Sequence, residues 1–519
     1  MDADYLIIGS GFGGSVSALR LVEKGYRVLM LEKGRRVGAD DFAKSNWDLK
    51  RWMWLPQLGL HGIFKMTFLR HLTVVSGVGV GGGSLVYANT LPIPRDDFFA
   101  ADSWGGLADW KSELAPHYPV VRKMLGAAEN PYTTPADEVI RQVGKDLGRP
   151  DSDFRRSPVA VYFGKPGETV PDPYFGGEGP PRTGCIQCGG CMVGCRHGAK
   201  NTLDKNYLWL AEKRGLTIEA DTEASWVRPL DGGGYQVDAL QGPSQRGRMK
   251  RSWKARNVIF AGGVLGTVPL LLKLLKSPEG LPKLSPRVGH FVRTNSESLI
   301  GIVSGQRDVD HSQGIAIGSV LHTDDHSHLE PVRYPSGSGF FRLLVAPHAA
   351  GKSAPERLVR ALAESLRHPL RALRALLVGD WAKHTVILLY MRTLEGHLRL
   401  KLGLGGHLTT AVDQGAAPSA SIPEATDLAR RVGEKLDGLP QGLVTELLFD
   451  TPTTAHILGG ACMGRSAEEG VIDAQHRVFG YPGLYVIDGA AVSANPGVNP
   501  SLTIAALAER AMALVPQKS

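Results

Sequence analysis

The chain has 519 residues, 43% of them hydrophobic and 21% charged, with a formal net charge of +8. That length exceeds what one hydrophobic core usually organises, so two domains are expected, and the balanced composition excludes a disordered chain or a fibre. The charge suits anionic membrane surfaces or nucleic acid, but no nucleic-acid motif accompanies it, so no nucleic-acid partner is expected.

The start is acidic and runs straight into an apolar segment at 5–8, with no charged-then-apolar leader, which predicts a cytoplasmic protein. This segment reads as a buried strand and is followed at once by Gly9-Ser10-Gly11-Phe12-Gly13-Gly14. Ala18, Leu19 and Val22 then recur at helical spacing, and a second strand at 28–31 ends in Glu32. In this strand–turn–helix–strand setting Gly9 allows the tight turn, Gly11 lets a pyrophosphate approach the backbone, and Gly14 lets helix and strand pack closely. The helix amino terminus favours the phosphate charge, and Glu32 can accept bonds from ribose hydroxyls. The unit predicts a dinucleotide site without deciding between FAD and NAD.

Further along, Ser76-Gly77-Val78-Gly79-Val80-Gly81-Gly82-Gly83-Ser84 leads through Leu85-Val86-Tyr87-Ala88 to Asn89, between strand-like runs at 72–75 and 85–86. The stretches 216–220, 223–227, 235–240 and 249–255 alternate like a small antiparallel meander, with Asp231-Gly232-Gly233-Gly234 as a hairpin turn. Val258-Ile259-Phe260-Ala261-Gly262-Gly263 repeats the strand-and-glycine pattern ahead of an apolar helix at 264–275. No apolar run is long enough to span a bilayer, the one at 385–391 included. The carboxy-terminal part carries His456-Ile457-Leu458-Gly459-Gly460, Tyr485-Val486-Ile487-Asp488-Gly489 and Gly497-Val498-Asn499-Pro500, then a helix at 501–510.

Taken in order, these segments resemble the glucose–methanol–choline (GMC) family of FAD-dependent oxidoreductases. Leu203-Asp204-Lys205-Asn206-Tyr207-Leu208 and the carboxy-terminal block are similar to its bacterial cholesterol oxidase branch. The resemblance implies an α/β fold, with a Rossmann-like FAD domain built from 1–100, 200–300 and 450–519. An α+β substrate domain from 101–199 and 301–449 would lay an antiparallel sheet over the flavin. It also implies non-covalent FAD contacts at Gly9, Gly11, Phe12, Gly14, Glu32, Gly77, Gly79, Gly82, Ser84 and Asn89. Further contacts are implied at Ala224, Gly262, Asp488, Gly489, Asn499 and Pro500.

Oxidising an alcohol requires a carbinol hydrogen aimed at the flavin, an exit for the hydroxyl proton, and stabilisation of the reduced flavin's charge. The family's catalytic histidine and asparagine fall on His456 and Asn499. An imidazole titrates near working pH, and an amide offers both donor and acceptor. The positive end of the 501–510 helix would face the flavin. The sterol branch's glutamate base matches Glu330 by order along the chain, against the alternative of an exposed loop carboxylate.

Cys185-x2-Cys188-x2-Cys191-x3-Cys195 departs from the sterol-oxidase pattern. Its spacing is that of ferredoxin cluster loops, with Arg196 where proline usually follows, and Cys462 is a candidate remote ligand. An iron–sulfur cluster is preferred over structural zinc, with free thiols as the third reading. A cluster would pass electrons to an outside acceptor, which favours a dehydrogenase over an oxygen-using oxidase. Residues 356–378 read as two basic amphipathic helices broken at Pro369. Leu358, Leu362 and Leu366 share one face, as do Leu370, Leu373 and Leu377. Such helices suit peripheral contact with a membrane, or equally ordinary domain packing. The substrate expected is a hydrophobic secondary alcohol, a steroid first. Another alcohol or a sugar, and a flavin electron carrier without alcohol chemistry, are the alternatives.

Overall fold

The computed structural model describes residues 1–519 apart from 244–246, 395 and 416. Ala3–Ile8 is buried at every position, as expected of a parallel strand covered on both faces. It lies between Val28–Leu31 and the second half of Met249–Phe260, parallel to both. Thr217–Glu219 and Leu484–Val486 extend the parallel sheet outward at its two sides. Helices Phe12–Glu23 and Ser501–Ala513 pack on each other, and their buried alanines and leucines share one core with the sheet.

Three local expectations are corrected here. The stretch at 216–220 is not the first strand of the meander, because Thr217 to Glu219 register with Leu29 to Leu31 and complete the parallel edge. The stretches at 249–255 and 258–260 form one strand, whose first half pairs antiparallel with Tyr235–Gln241 before its second half joins the parallel core. Residues 82–85 form a single helical turn where 85–86 had read as strand, because Gly81 and Gly82 take positive φ and turn the chain.

The second sheet is antiparallel and centres on Ser298–Val303, Thr385–Arg392 and Ser327–Val332. Leu439–Leu443 and Val345–Pro347 extend one edge; Ser319–His322 and Phe154–Arg156 extend the other. Side chains alternate strictly between its faces. Ile300, Ile302, Val386 and Leu388 pack outward with residues of helices Pro135–Asp146 and Pro423–Lys435. Leu299, Gly301, Ile387, Leu389 and Val332 face a cavity that the first sheet closes from below. Trp104, Trp110, Tyr118 and Val121 belong to the core of the first sheet, and the Ser298–Val303 strand belongs to the second.

Candidate active site

One cavity of about 960 Å³ runs from the glycine turn of the first sheet to the underside of the second. Its volume is at the upper end of the range usual for cofactor sites. At the nucleotide end, a Cβ on Gly14 would stand 2.1 Å from the Gly9 carbonyl oxygen, so the helix can sit this close to the strand only with glycine there. Gly11 differs. A Cβ there meets no protein atom nearer than 4.0 Å and would project into the cavity. Helices Phe12–Glu23, Val264–Leu275 and Ser501–Ala513 all begin on the cavity wall. Each has a first turn free of acidic residues and no side-chain cap, so their amide groups and dipoles favour an anionic ligand. Glu32 is fixed by the Ser10 hydroxyl at 2.7 Å and the Gly34 amide at 2.8 Å, and it lines the same wall. Asp488 accepts from the Gly263 amide at 2.8 Å, the Thr267 hydroxyl at 2.6 Å and the Ala490 amide at 2.7 Å, which ties the glycine turn to the carboxy-terminal loop. Glycine turns, anion-seeking helix ends and a carboxylate at ribose distance along the fold fit the chemistry of FAD.

This arrangement makes a sharp prediction. Gly11→Val should fold normally, because the new side chain meets open space, yet it should lose most of its flavin. Visible flavin absorbance per folded chain, measured after gel filtration, checks it. Retention of full flavin would remove Gly11 from the cradle.

Toward the second sheet, loops bring together residues far apart in sequence. His456 Nδ1 lies 2.6 Å from Glu297 Oε2, and Glu297 Oε1 accepts from the Ala455 amide at 2.8 Å. A carboxylate only accepts, so Nδ1 carries the hydrogen and Nε2 keeps its lone pair. Nε2 faces Asn499 Nδ2 at 3.4 Å. Burial opposes charge on His456, but Glu297 and then Glu330 outweigh it and hold its pKa above the ordinary 6.5. Burial pushes the Glu330 carboxyl up to about 8, with the His456 charge and the Asn499 amide acting in the opposite direction. His328 stands 3.7 Å from Glu330, but burial and nearby cations hold it down at about 3, so the two do not form an ion pair at neutral pH. Asn499 Oδ1 and Glu330 Oε2 are buried without a hydrogen-bond partner, two polar atoms available to an incoming hydroxyl.

Glu297 is absent from the sequence reading. Its one local signal is a carboxylate at the head of the apolar run Ser298 to Val303, and nothing local links it to a histidine far along the chain. Of the expected cofactor contacts, Gly9, Gly11, Phe12, Glu32, Gly77, Gly82, Ala224, Gly262, Asp488, Gly489, Asn499 and Pro500 line the cavity. Gly14, Gly79, Ser84 and Asn89 lie behind the wall. The Gly79 carbonyl accepts from Ser10, Ser84 donates to the Gly81 carbonyl at 2.7 Å, and Asn89 sits beside the Cys191 thiol.

The cysteine pattern is a correction. Among the described residues, no three His, Cys, Asp or Glu side chains are grouped to hold a metal ion. Cys185 packs with Val159, Val161, Ala199 and Ile315, and Cys191 and Cys195 are partly buried against that cluster. Burial pushes the Cys185 thiol up to about 12 and raises those of Cys188 and Cys191 as well. Cys462 donates to the Phe291 carbonyl at 3.8 Å rather than serving as a remote ligand. Burial thus favours the neutral thiol at Cys185, Cys188 and Cys191. The spacing suits a cluster loop, but Cys185, Cys191 and Cys195 pack with apolar side chains instead.

Geometry of this kind defines a class: redox enzymes that hold a dinucleotide beneath a separate sheet roofing the reacting end. Comparison with known proteins is specific. The profile of GMC oxidoreductases matches residues 181–290 and 415–508, and that of NAD(P)-binding Rossmann-like domains matches 7–68. A cholesterol oxidase of Acinetobacter baumannii is 44% identical, with 100% of this chain and 95% of the relative covered. One of Mycobacterium tuberculosis is 46% identical, with 100% and 92% covered. The crystal structure of pyridoxine 4-oxidase from Mesorbium loti shares the fold with a TM-score of 0.63 at 15% identity, covering 98% of each chain. The chain belongs to the GMC oxidoreductase family and is an FAD-dependent oxidoreductase acting on alcohols.

Proposed function

We propose that the protein oxidises a hydrophobic secondary alcohol, a sterol first among candidates, to its ketone with dioxygen as the electron acceptor. The observation that carries this reading is the meeting, in one cavity, of His456 and Asn499 with an apolar sheet face. A steroid skeleton would lie against Leu299, Val332, Ile387 and Leu389, whereas a sugar would leave hydroxyls unpaired on those side chains. Whole-length relatives named cholesterol oxidases support the same substrate and the same acceptor. With no metal-holding group of side chains among the described residues, the cysteine pattern no longer argues for a dehydrogenase.

When bound, FAD supplies at its N5 the acceptor for the hydride leaving the carbinol carbon, and it hands the electron pair on to oxygen. His456 takes the hydroxyl proton on Nε2, the atom left free by the Glu297 bond. Asn499 orients the hydroxyl through its unpaired Oδ1. Burial brings the Glu330 carboxyl close to working pH, where it donates to the substrate hydroxyl when protonated and accepts its proton when ionised, beside Asn499. The amino terminus of Ser501–Ala513 adds positive potential at the cavity wall.

Oxygen uptake and peroxide release are the test, with a panel of hydroxysteroids, long-chain alcohols and sugars. Sterols should be turned over with one peroxide formed per ketone. Silence on every lipidic alcohol would sink the substrate reading, and turnover with an artificial acceptor but not oxygen would make the enzyme a dehydrogenase.

A further inference from the structure

The helices Ala354–Arg367 and Pro369–Leu377 are folded the wrong way round for packing. An amphipathic helix on a globular protein turns its large apolar residues inward. Here the buried residues of the first helix are Arg357 and Ala361, and that of the second is Ala375. The large side chains point out: Leu362, Leu366, Leu370, Leu376 and Leu377 are 62%, 70%, 67%, 74% and 73% exposed. Val359, Leu358 and Leu373 are exposed beside them. Together they present on the order of 800 Å² of apolar surface, more than the roughly 300–600 Å² of the largest patch on a typical soluble monomer. The leucine faces are therefore not the faces by which these helices pack on the domain.

The pair is also held firmly. Buried Arg357 donates to the Leu447 carbonyl at 2.7 Å and the Gly351 carbonyl at 3.0 Å. Arg342 closes the far end on the Leu376 carbonyl at 3.2 Å and the Val378 carbonyl at 2.8 Å. The rim is cationic, with Arg360, Arg367, Arg371 and Arg374 against Glu356 and Glu364. Arg371 and Arg374 engage Asp437, while Arg360 and Arg367, 60% and 74% exposed at the side chain, each face a glutamate of their own helix, Arg360 also donating to the Ala350 carbonyl at 3.0 Å. The platform is continuous with the cavity. Ala375 and Val378 pack with Trp381 and Phe341, both cavity-lining, and the helices rest on the strands that carry Val345, Gln441 and Leu443.

We infer that this helix pair seats the enzyme on an anionic lipid surface, with its leucines in the interface and its arginines among the headgroups. No helix among the described residues is long and apolar enough to cross a membrane, so the seating is peripheral in this part of the chain. A second copy of the chain is the weaker occupant, because a two-fold contact would set one arginine rim against the other. A hydrophobic alcohol would then pass from lipid to cavity without crossing water. That last step rests on the function proposed above; the docking itself does not.

Vesicle sedimentation without any substrate tests the docking alone. The holoenzyme should bind phosphatidylcholine vesicles containing about 30% phosphatidylglycerol at least about tenfold more tightly than phosphatidylcholine alone, with binding weakened by salt. The variant Leu366→Glu/Leu370→Glu/Leu377→Glu should lose this binding while keeping its flavin and its turnover of detergent-dispersed alcohol, since none of the three lines the cavity. Arg360→Glu/Arg367→Glu should abolish the preference for anionic vesicles. Absent binding, equal binding to both vesicles, or a concentration-dependent dimer that the leucine variant dissolves would each overturn the inference.

Discussion

The His456→Ala enzyme is expected to keep its flavin and lose about 1,000-fold in kcat, the usual worth of a positioned general base. The cradle proposed for the cofactor, the glycine turn, Glu32, Asp488 and three helix ends, does not hang on the imidazole. Flavin content per chain should therefore match the wild type, and anaerobic reduction by a sterol, followed in a stopped-flow instrument, should slow by the full factor. Only the step that moves the hydroxyl proton is removed. A variant that reduced at the parental rate would leave the protein a flavin carrier with some other route for electrons.

Glu297→Gln is expected to cost nearly as much, for a reason that burial alone does not supply. In the wild type one carboxylate oxygen accepts from the Ala455 amide and the other from His456 Nδ1. A glutamine must put its carbonyl toward the amide donor at Ala455, so its NH2 faces Nδ1 and donates. The imidazole then adopts the opposite tautomer, with hydrogen on Nε2, and cannot take a proton from substrate. A loss of about 100- to 1,000-fold in kcat/KM should follow, and the pH profile separates this from simple disorder. The neutral imidazole is the working form, so wild-type activity rises with pH through a pKa that Glu297 holds above 6.5. Removing that charge lets burial dominate, and the residual acidic limb should move to lower pH. An unmoved limb with a large loss of rate would mean that Glu297 only props the loop.

The two substitutions probe different levels of one arrangement. His456 and Asn499 come from loops of the first sheet's domain, while Glu297 stands at the head of a strand of the second and Glu330 lies within another. The reacting end of the cavity is thus formed only when the two sheets meet. Alternation along the second sheet does the rest: the same strands that send Ile300 and Leu388 into their own core must send Leu299 and Leu389 over the cavity. An apolar roof is a consequence of that sheet's pleat.

Sequence by itself determined the parts whose physics is local. A strand, a glycine turn and a helix start within a dozen residues can be read as a dinucleotide cradle, because close packing and phosphate approach each demand a missing side chain at a set position. His456 and Asn499 were legible through their glycine-rich surroundings. Tertiary structure alone decided what depends on distance through space. It supplied Glu297 as the partner of His456, and by burying Glu330 it pushed that carboxyl up to about 8. It packed Cys185, Cys191 and Cys195 with an apolar cluster, since spacing sets which residues can reach one point but packing sets what surrounds them. It also left the leucines of residues 354–377 outside, because the alternation of apolar and charged residues fixes the two faces of a helix while its neighbours choose which face is covered.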